Sequence, residues 1–488
     1  MKHIPDTLIE RGLLALIFIG YSVIAALFAI RTPAWQTPDE PAHYNYAAQV
    51  AAQGCCPVIQ AGDWDSPYLE QLKAARFAPE LLTRFDTIQY EDHQPPLYYL
   101  IQALVYRLSD GSLVVMRLVS AAFGLGIIAC AWAIPRRLLP DQPQVALATA
   151  AFVAFLPQHV ALLASVNNDS LAWLLVAVLI WLTVRYILGD RIPVWGLGLL
   201  MGIALLTKLS AIFMVGVIGL AILLRVVSGQ WSVAGGKPVQ SAAYKVQSRK
   251  GSPEREPSAI SHQLLAIGQK WAAFLLPTLL LGGMWWVRNV SVYGFPDVFG
   301  LREHDRIVAD QLRTATFMAE NGVQGYWSHA LRTTFTSFWG QFGWMGLPLW
   351  DWLYTLLLVV TAVLVVGLVI RKKLSAISYQ PSAADEARLV PTSPRSRRIA
   401  WFLLALCALL AALQYGYYNL EFLQLQARYM FTGLIPFGIG LALGAEAWRS
   451  WLLGRWAWTR WLTPMPFLLL AVLDAYLILR VIEPLLKP

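Results

Sequence analysis

The segment PPLYYLIQALVY, Pro95 to Tyr106, decides the topology of this chain. It is apolar, but it has only about a dozen residues, whereas an α-helix needs about 20 to cross a bilayer. If it crossed, the basic pair at Arg136 and Arg137 and the later basic clusters would face outward. A surface position puts these clusters on the same side as the N-terminus, as the positive-inside rule requires. The sequence therefore predicts that Pro95 to Tyr106 forms a helix at the membrane surface.

The composition is that of a polytopic membrane protein. Of 488 residues, 57% are hydrophobic and only 14% are charged, a balance that repeated spans produce and a water-soluble core of this length rarely does. The net charge is +9, but Lys and Arg cluster between apolar runs, so the basicity reflects topology and we expect no nucleic-acid partner. The cysteines show no metal-ligand spacing, and Cys55–Cys56 is either a vicinal disulfide or two free thiols.

Apolar runs of spanning length occur throughout the chain. They predict about eleven membrane helices, with the N-terminus in the cytoplasm and the C-terminus outside. No small-residue cleavage pattern follows the first run, so we expect a retained anchor. The runs are Leu13–Ile30, Leu113–Ile134, Val145–Ala164, Leu171–Leu188, Val194–Thr207, Leu209–Val227, Trp271–Val287, Trp352–Ile370, Ile399–Tyr418, Tyr429–Ala447 and Leu462–Val481.

The predicted fold class is an all-α polytopic membrane protein of the inner (plasma) membrane. Two segments rich in Ser, Pro, Gly and charged residues predict cytoplasmic linkers. The expected organisation is an N-terminal anchor helix at 1–30, a first extracytoplasmic loop with juxtamembrane helices at 31–112, spans two to six at 113–227, a linker at 228–269, span seven at 270–288, a second large extracytoplasmic loop at 289–349, and spans eight to eleven at 350–488 with a linker at 371–398.

Polar residues that are not needed for solubility collect on the predicted outer face. Asp39, Glu40 and His43 follow the first span. An ionisable residue at the membrane edge is a candidate site residue by default. The other members of this group are Glu91, Asp92 and His93 before the surface helix, Asn167, Asn168 and Asp169 after span three, Lys208 between spans five and six, Arg288 and Asn289 at the end of span seven, and Arg428 at the start of span ten.

Helix capping is an alternative role for some of these residues. Thr37 and Glu40 fit a capping box with Pro38 at the first helical position. In a helix that began at Pro38, Pro41 would remove one backbone hydrogen bond. The run Asn167 to Asp169 similarly fits a cap for the helix that follows it. Capping and chemistry are compatible, so both roles stay open.

Two cations lie in strongly apolar surroundings. Inserting the charged side chain of Lys208, in LLTKLSAIF, at membrane depth would cost about 2.5 to 3.5 kcal/mol of free energy. We therefore expect an anionic partner for Lys208. The alternative is that the side chain extends to the membrane interface. Arg428 in QLQARYMF is comparable, and Arg is well shaped to hold phosphate oxygens with paired donors. The two cations suggest a phosphate ligand.

These residues suit group transfer from a lipid-phosphate donor. A hydroxyl acceptor must lose a proton as it attacks carbon, and an aspartate with an ordinary pKa of about 3.9 is ionised and available at neutral pH. The leaving phosphate needs cationic support, which Lys208 and Arg428 can provide. Residue chemistry alone does not identify the transferred group.

Six motifs in this order resemble the GT-C membrane glycosyltransferases. The closest resemblance is to bacterial relatives of the protein O-mannosyltransferases and the lipid A aminoarabinose transferase, and it extends over most of the chain. The motifs are PDEPAH after span one, DHQPPLYYL before span two, NND after span three, LTK between spans five and six, WWVRNVSVYGFP at the end of span seven, and the late QARYMFTGLIP.

The resemblance implies a GT-C-like fold and transfer of a sugar from a polyprenyl-phosphate carrier at the extracytoplasmic face, with inversion. It implies Asp39 as general base, in a catalytic pair with Glu40.

No metal is expected to be obligatory; a divalent ion is the alternative, with Asp92 or Asp169 as ligands. Relatives often have His or Lys before the double proline, where this chain has Gln94. The implied substrate-binding residues are His43, His93, Gln94, Lys208, Arg288, Asn289, Arg428 and Tyr429, with Asp92, Asn168 and Asp169 as additional candidates.

Two other functional classes stay open. A transporter or flippase of a lipid-linked anion would also need cations near an outer vestibule, but the sequence shows no pair of corresponding broken helices. A non-catalytic subunit of a membrane complex would require a protein partner. For the enzyme, the expected partners are membrane lipid, the polyprenyl-phosphate sugar, and a glycan, lipid or protein acceptor.

Overall fold

The structure is a computed structural model that describes residues 5–228, 259–375, 393–454 and 456–488. The predicted linkers at 228–269 and 371–398 lie largely outside these residues. Where their edges are described, the neighbouring helices extend into them. The helix before the second linker ends at Ser375, and those after the two linkers begin at Ala259 and Pro394. The predicted linker boundaries are therefore corrected, because these flanks contain no residue that interrupts the helix.

The described chain is almost entirely helical. Two strands, β1 (Gln341–Phe342) and β2 (Leu347–Pro348), form an antiparallel pair. The helices are α1 Asp6–Arg31, α2 Glu40–Gln53, α3 Ser66–Ala74, α4 Leu97–Leu108, α5 Leu113–Leu138, α6 Pro143–Phe155, α7 Pro157–Leu163, α8 Asp169–Ile187, α9 Val194–Leu205, α10 Phe213–Val227, α11 Ala259–Tyr293, α12 Leu301–Ile307, α13 Thr314–Trp339, α14 Asp351–Ser375, α15 Pro394–Glu421, α16 Leu434–Leu453, α17 Met465–Leu477 and α18 Glu483–Leu486.

The predicted fold class, an all-α polytopic membrane protein, is confirmed. In the described part of the chain, nine helices are long and apolar enough to cross a membrane, and the bent pair α6–α7 would make a tenth. The prediction of about eleven spans exceeds this count because α9 has only 12 residues. The 60° bend between α6 and α7 follows from Pro157, because a proline disfavours the helical conformation of the residue before it. Leu156 is accordingly extended.

The two ends of the described chain lie at opposite ends of the helix bundle. Asp6 at the start of α1 pairs with Arg460 at the start of the last span. At the other end of α1, Arg31 Nε lies 2.6 Å from Glu483 Oε2, near the end of that span. The first and last spans therefore run parallel. Which end is cytoplasmic stays a prediction.

The segment that decides the topology forms the short helix α4. Tyr98 and Tyr99 on this helix are fully buried, whereas Leu100, Leu104 and Leu108 are exposed. A helix of 12 residues spans about 18 Å, well short of the hydrocarbon core. Its one-sided apolar exposure suits a helix that lies at the membrane interface.

Close helix contacts in the core depend on small residues. Helix α6 is buried along its whole length. Helices α14 and α16 cross at Gly444, where an added Cβ would lie 1.9 Å from the backbone oxygen of Leu364. Glycine at such a crossing lets two backbones approach, which is how membrane helices gain much of their packing energy.

We expect Gly444→Ala to destabilise the protein by about 1–3 kcal/mol, because the added methyl must force two backbones apart. Gly440→Ala on the same helix is the matched control, since its Cβ would be 3.5 Å from the nearest side-chain atom. Thermal unfolding of both variants in detergent measures the difference. Equal midpoints for the two variants would contradict this account of the crossing.

Candidate active site

The first loop turns sharply at Asp39. This residue adopts a left-handed conformation with φ of +66°, which is uncommon for any residue but glycine. Helix α2 begins immediately afterwards, at Glu40, and no side-chain hydrogen bond caps it. The predicted capping box with a helix start at Pro38 is therefore wrong. With the start at Glu40, Pro41 falls in the first turn, where its missing N–H costs nothing.

Asp39 and Arg428 form an ion pair, although 389 positions separate them along the chain. Arg428 Nη2 donates to Asp39 Oδ2, and the Tyr90 hydroxyl donates to Asp39 Oδ1 over 3.0 Å. The side chain of Arg428 is 6% exposed and that of Asp39 is 20% exposed. Two residues predicted to lie on the outer face are therefore in direct contact.

The ion pair sets the charge of Asp39. Burial raises the pKa of its carboxyl, but the charges of Arg428 and His43 and the hydrogen bonds from Arg428 and Tyr90 outweigh burial and lower the pKa to about 2. Asp39 is thus ionised at neutral pH. While Arg428 holds it, however, it is a weak base.

Arg428 has hydrogen-bonding capacity to spare. Its Nε and Nη1 atoms are buried and have no hydrogen-bond partner among the described residues. The remaining nitrogen, Nη2, also lies 3.4 Å from the Tyr429 hydroxyl. A buried guanidinium with two donor atoms that lack a partner can bind a second anionic ligand.

Lys208 has the anionic partner that its surroundings predicted. Its Nζ lies 2.7 Å from Asp169 Oδ1 and 2.9 Å from Asn168 Oδ1. Asn168 in turn donates to Gln94 Oε1 over 3.4 Å. The turn before α8 is instead closed by Asn167, whose side chain accepts from the Asp169 N–H. Asn168 makes no capping bond, so the capping alternative fails for it.

Glu40 is held by a residue that the sequence reading missed, Arg117. Arg117 Nε donates to Glu40 Oε1 over 2.7 Å, and both side chains are at most 2% exposed. Arg117 also donates to the Thr32 carbonyl, and Glu40 accepts from the Val166 N–H. This pair joins the end of α1, the start of α2, α5 and the Asn167 loop. The available signal was a lone charge within an apolar run.

Glu91 is a second carboxylate near Asp39, which the sequence reading placed on the outer face without a specific role. Its Oε2 atom is buried and has no partner among the described residues. Burial and then the negative charge of Asp39 raise the pKa of Glu91 to about 7, against the opposing charges of Lys208 and His304. Glu91 can therefore be neutral beside the ionised Asp39.

Asp92 points to a different neighbour. It accepts from Gln49 Nε2 over 2.9 Å, and burial raises its pKa to about 8. No contact joins it to Asp39. Its candidate role in substrate binding is thus not supported by a direct link to the ion pair.

The two predicted histidines are buried in the first loop. His43 Nδ1 lies 2.7 Å from the Tyr99 hydroxyl, and burial lowers the pKa of His43 to about 3. His93 packs against His304, with ring centroids 4.3 Å apart, and Gln94 Nε2 lies 3.3 Å from His93 Nε2. His304 lies on α12 and brings the second large loop to the site. Nothing in the sequence pattern singled it out.

Arg288 and Asn289 hold loops together and do not contact Asp39. Arg288 donates to the backbone carbonyl of Cys56 and to the Tyr293 hydroxyl. Asn289 donates to the Val298 carbonyl over 3.2 Å. Cys55 and Cys56 are joined as a vicinal disulfide. Within the described ranges, no group of three or more His, Cys, Asp or Glu side chains could hold a metal ion.

Comparisons with known proteins give a family match and matches to solved structures. Residues 93–235 match the family described as dolichyl-phosphate-mannose-protein mannosyltransferase. No curated protein matches the chain. The crystal structure of ArnT from Cupriavidus metallidurans bound to undecaprenyl phosphate is similar, with a TM-score of 0.45 and 13% sequence identity over 97% of this chain and 73% of that chain.

The family match covers a part of the chain that contains some of the candidate site residues. Its residues include His93, Gln94, Asp169 and Lys208, whereas Asp39 and Arg428 lie outside the matched range. The match confirms the recognition predicted from the motifs. Over residues 93–235 the chain is thus similar to a family of membrane mannosyltransferases, as the motifs predicted.

Proposed function

We propose that this protein transfers a sugar from a polyprenyl-phosphate donor to a hydroxyl acceptor at the extracytoplasmic face, with inversion and with Asp39 as general base. The observation that carries the proposal is the contact of Asp39 with the buried Arg428, which keeps two donor atoms without a partner among the described residues. The matched family takes its name from a polyprenyl-phosphate sugar donor, which supports the donor class. The sugar and the acceptor stay open.

The proposed reaction is a single displacement. The acceptor oxygen attacks the anomeric carbon from the face opposite the phosphate, and the bond from that carbon to the phosphate oxygen breaks. The acceptor proton passes to Asp39. Polyprenyl phosphate leaves with the electron pair of the broken bond, and cations near its oxygens stabilise the developing charge.

Arg428 links donor binding to the basicity of Asp39. In the structure its guanidinium neutralises the carboxylate and lowers the pKa of Asp39. A donor phosphate offers oxygens to the guanidinium, which binds two of them through a parallel pair of donors, Nε with Nη2 or Nη1 with Nη2. As the guanidinium turns toward phosphate, the carboxylate loses its cation and its pKa rises. The base therefore becomes effective only once the donor is bound.

Neighbouring carboxyls keep the site from becoming too negative. Lys208 is already paired with Asp169, so it helps to support a phosphate without adding a full uncompensated charge. Glu91, with its pKa raised to about 7, can remain neutral beside Asp39. A neutral Glu91 avoids repulsion between the donor phosphate and a second anion and can donate a hydrogen bond.

We expect Asp39→Asn to lower sugar transfer by about 10²- to 10⁴-fold, because the amide cannot accept the acceptor proton. Transfer from radiolabelled polyprenyl-phosphate sugar in membranes measures the change. Asp86→Asn, an exposed aspartate of the same loop, should retain full activity. Wild-type transfer by a folded Asp39→Asn variant would remove Asp39 as base. Movement of labelled lipid across the membrane without any transfer would favour the transporter.

We expect Arg428→Lys to weaken donor binding by about 10- to 100-fold, because lysine keeps the charge but loses the paired donors. Titration of the purified protein with polyprenyl phosphate measures the affinity. Arg332→Lys is the control, since Arg332 is exposed and pairs with the exposed Asp351. Unchanged affinity in Arg428→Lys would contradict the proposed phosphate contact.

The contribution of Glu91 and Asp92 to stability should fall as pH rises from about 4.5 to about 8. The folded pKa values of these two groups are raised to about 7 and about 8, so each binds more protons in the folded state than in the unfolded state across this window. Asp39 and His43, whose pKa values are lowered, act in the opposite sense, so the comparison of wild type with a Glu91 variant isolates the effect of Glu91. Thermal unfolding at several pH values measures the slope.

Glu91→Gln should flatten this pH dependence, because the amide does not titrate. Glu80→Gln in the same loop is the control, since its side chain is exposed and should leave the slope unchanged. The same slope in Glu91→Gln and wild type would show that Glu91 does not titrate in this range.

A further inference from the structure

A cluster of arginines lies at the end of the bundle opposite Asp39. Helix α8 begins beside Lys208 at Asp169 and ends at Ile187, which places its far end about 28 Å away. There Asp190 accepts from Arg137 Nη2 over 2.8 Å and from Arg185 Nε over 2.7 Å. The Asp190 carboxylate thus forms ion pairs with arginines from two helices, α5 and α8.

Arg225 on α10 completes the cluster from within the protein. It is 8% exposed, its guanidinium lies 4.2 Å over the Tyr186 ring, and its Nη1 donates to the backbone carbonyls of Tyr186 and Asp190. Its Nε is buried without a partner among the described residues. Arginines that merely follow the positive-inside rule extend into water, so this burial calls for another explanation.

The charges in this cluster do not balance. Arg137, Arg185 and Arg225 surround Asp190, and the next residue, Arg191, is exposed and has no side-chain partner in the described part of the chain. The hydrogen bonds and charges of Arg185 and Arg137 outweigh burial and hold the pKa of Asp190 below its ordinary value. Three arginines therefore contact the one acidic residue Asp190, and a fourth, Arg191, directly follows it in the chain.

The surroundings of the cluster are those of a membrane interface. The Trp181 ring lies 5.5 Å from the Arg185 guanidinium, and Trp195 in the first turn of α9 is exposed. Tryptophan favours the headgroup layer. Basic pockets between membrane helices at such a depth hold anionic lipid headgroups.

We propose that the arginine cluster, Arg137, Arg185, Arg191 and Arg225 around Asp190, binds the phosphodiester headgroup of an anionic phospholipid. The planar guanidinium donors fit phosphate oxygens, and the headgroup supplies the negative charge that the cluster lacks. This site lies a full helix length from the proposed donor phosphate. It is independent of the proposed transfer reaction.

Purified protein in a neutral detergent tests the proposal. Phosphatidylglycerol should raise the thermal unfolding midpoint more than phosphatidylcholine does, and native mass spectrometry should find phosphatidylglycerol retained. Each arginine near the membrane surface should contribute about fivefold to lipid affinity. Arg191→Gln should therefore bind phosphatidylglycerol about fivefold more weakly, and Arg191→Gln with Arg225→Gln more weakly still.

Arg332→Gln is the matched control. Arg332 is an exposed arginine on α13, in the second large loop, and its loss should not change lipid binding. Arg191 is exposed, so its variant tests the proposal even if loss of Arg225 prevents folding. Equal effects of the two lipids, or unchanged binding in Arg191→Gln, would overturn the proposal. Equal stabilisation by inorganic phosphate would show a general phosphate site and would overturn the lipid assignment.

Discussion

The arrangement of the site depends on the buried ion pair between Glu40 and Arg117. Both side chains are almost completely excluded from solvent, and the pair connects α1, α2, α5 and the loop before α8. Loss of one partner would strand a charge in the interior, at a cost of about 3–5 kcal/mol. Glu40 therefore fixes where the chain leaves α1. Because Asp39 directly precedes it, the same pair fixes the left-handed turn that presents Asp39 to Arg428.

This constraint divides the two adjacent acids between two tasks. Glu40 is committed to Arg117 on the inner side of the turn, whereas Asp39 faces Arg428 and Tyr90. The division explains why an acidic pair is useful at the end of the first span. One carboxylate anchors the turn, and its neighbour stays accessible, with 20% of its side chain exposed. A positioning role for Glu40 suits this geometry better than direct proton transfer.

The need of a buried charge for a partner is the feature of this site that the sequence predicts best. Lys208 sits in an apolar hairpin, and its need for an anion predicted the contact that Asp169 makes. The span count was less accurate, because hydropathy does not register the short length of α9 or the break at Pro157. Arg117 and His304 were missed for other reasons. Arg117 is hidden in a run that hydropathy treats as uniformly apolar, and His304 reaches the site only through the fold of a long loop.

The two ends of the bundle use arginine under opposite charge balances. At the Asp39 end, Arg428 and Lys208 each have a carboxylate, so a phosphate must compete with an existing ion pair. Such a site binds and releases its ligand, which turnover requires. At the other end, several arginines share Asp190 alone among the described residues. Because these arginines outnumber the carboxylate, the proposed headgroup adds a second anion beside Asp190, which suits lasting attachment.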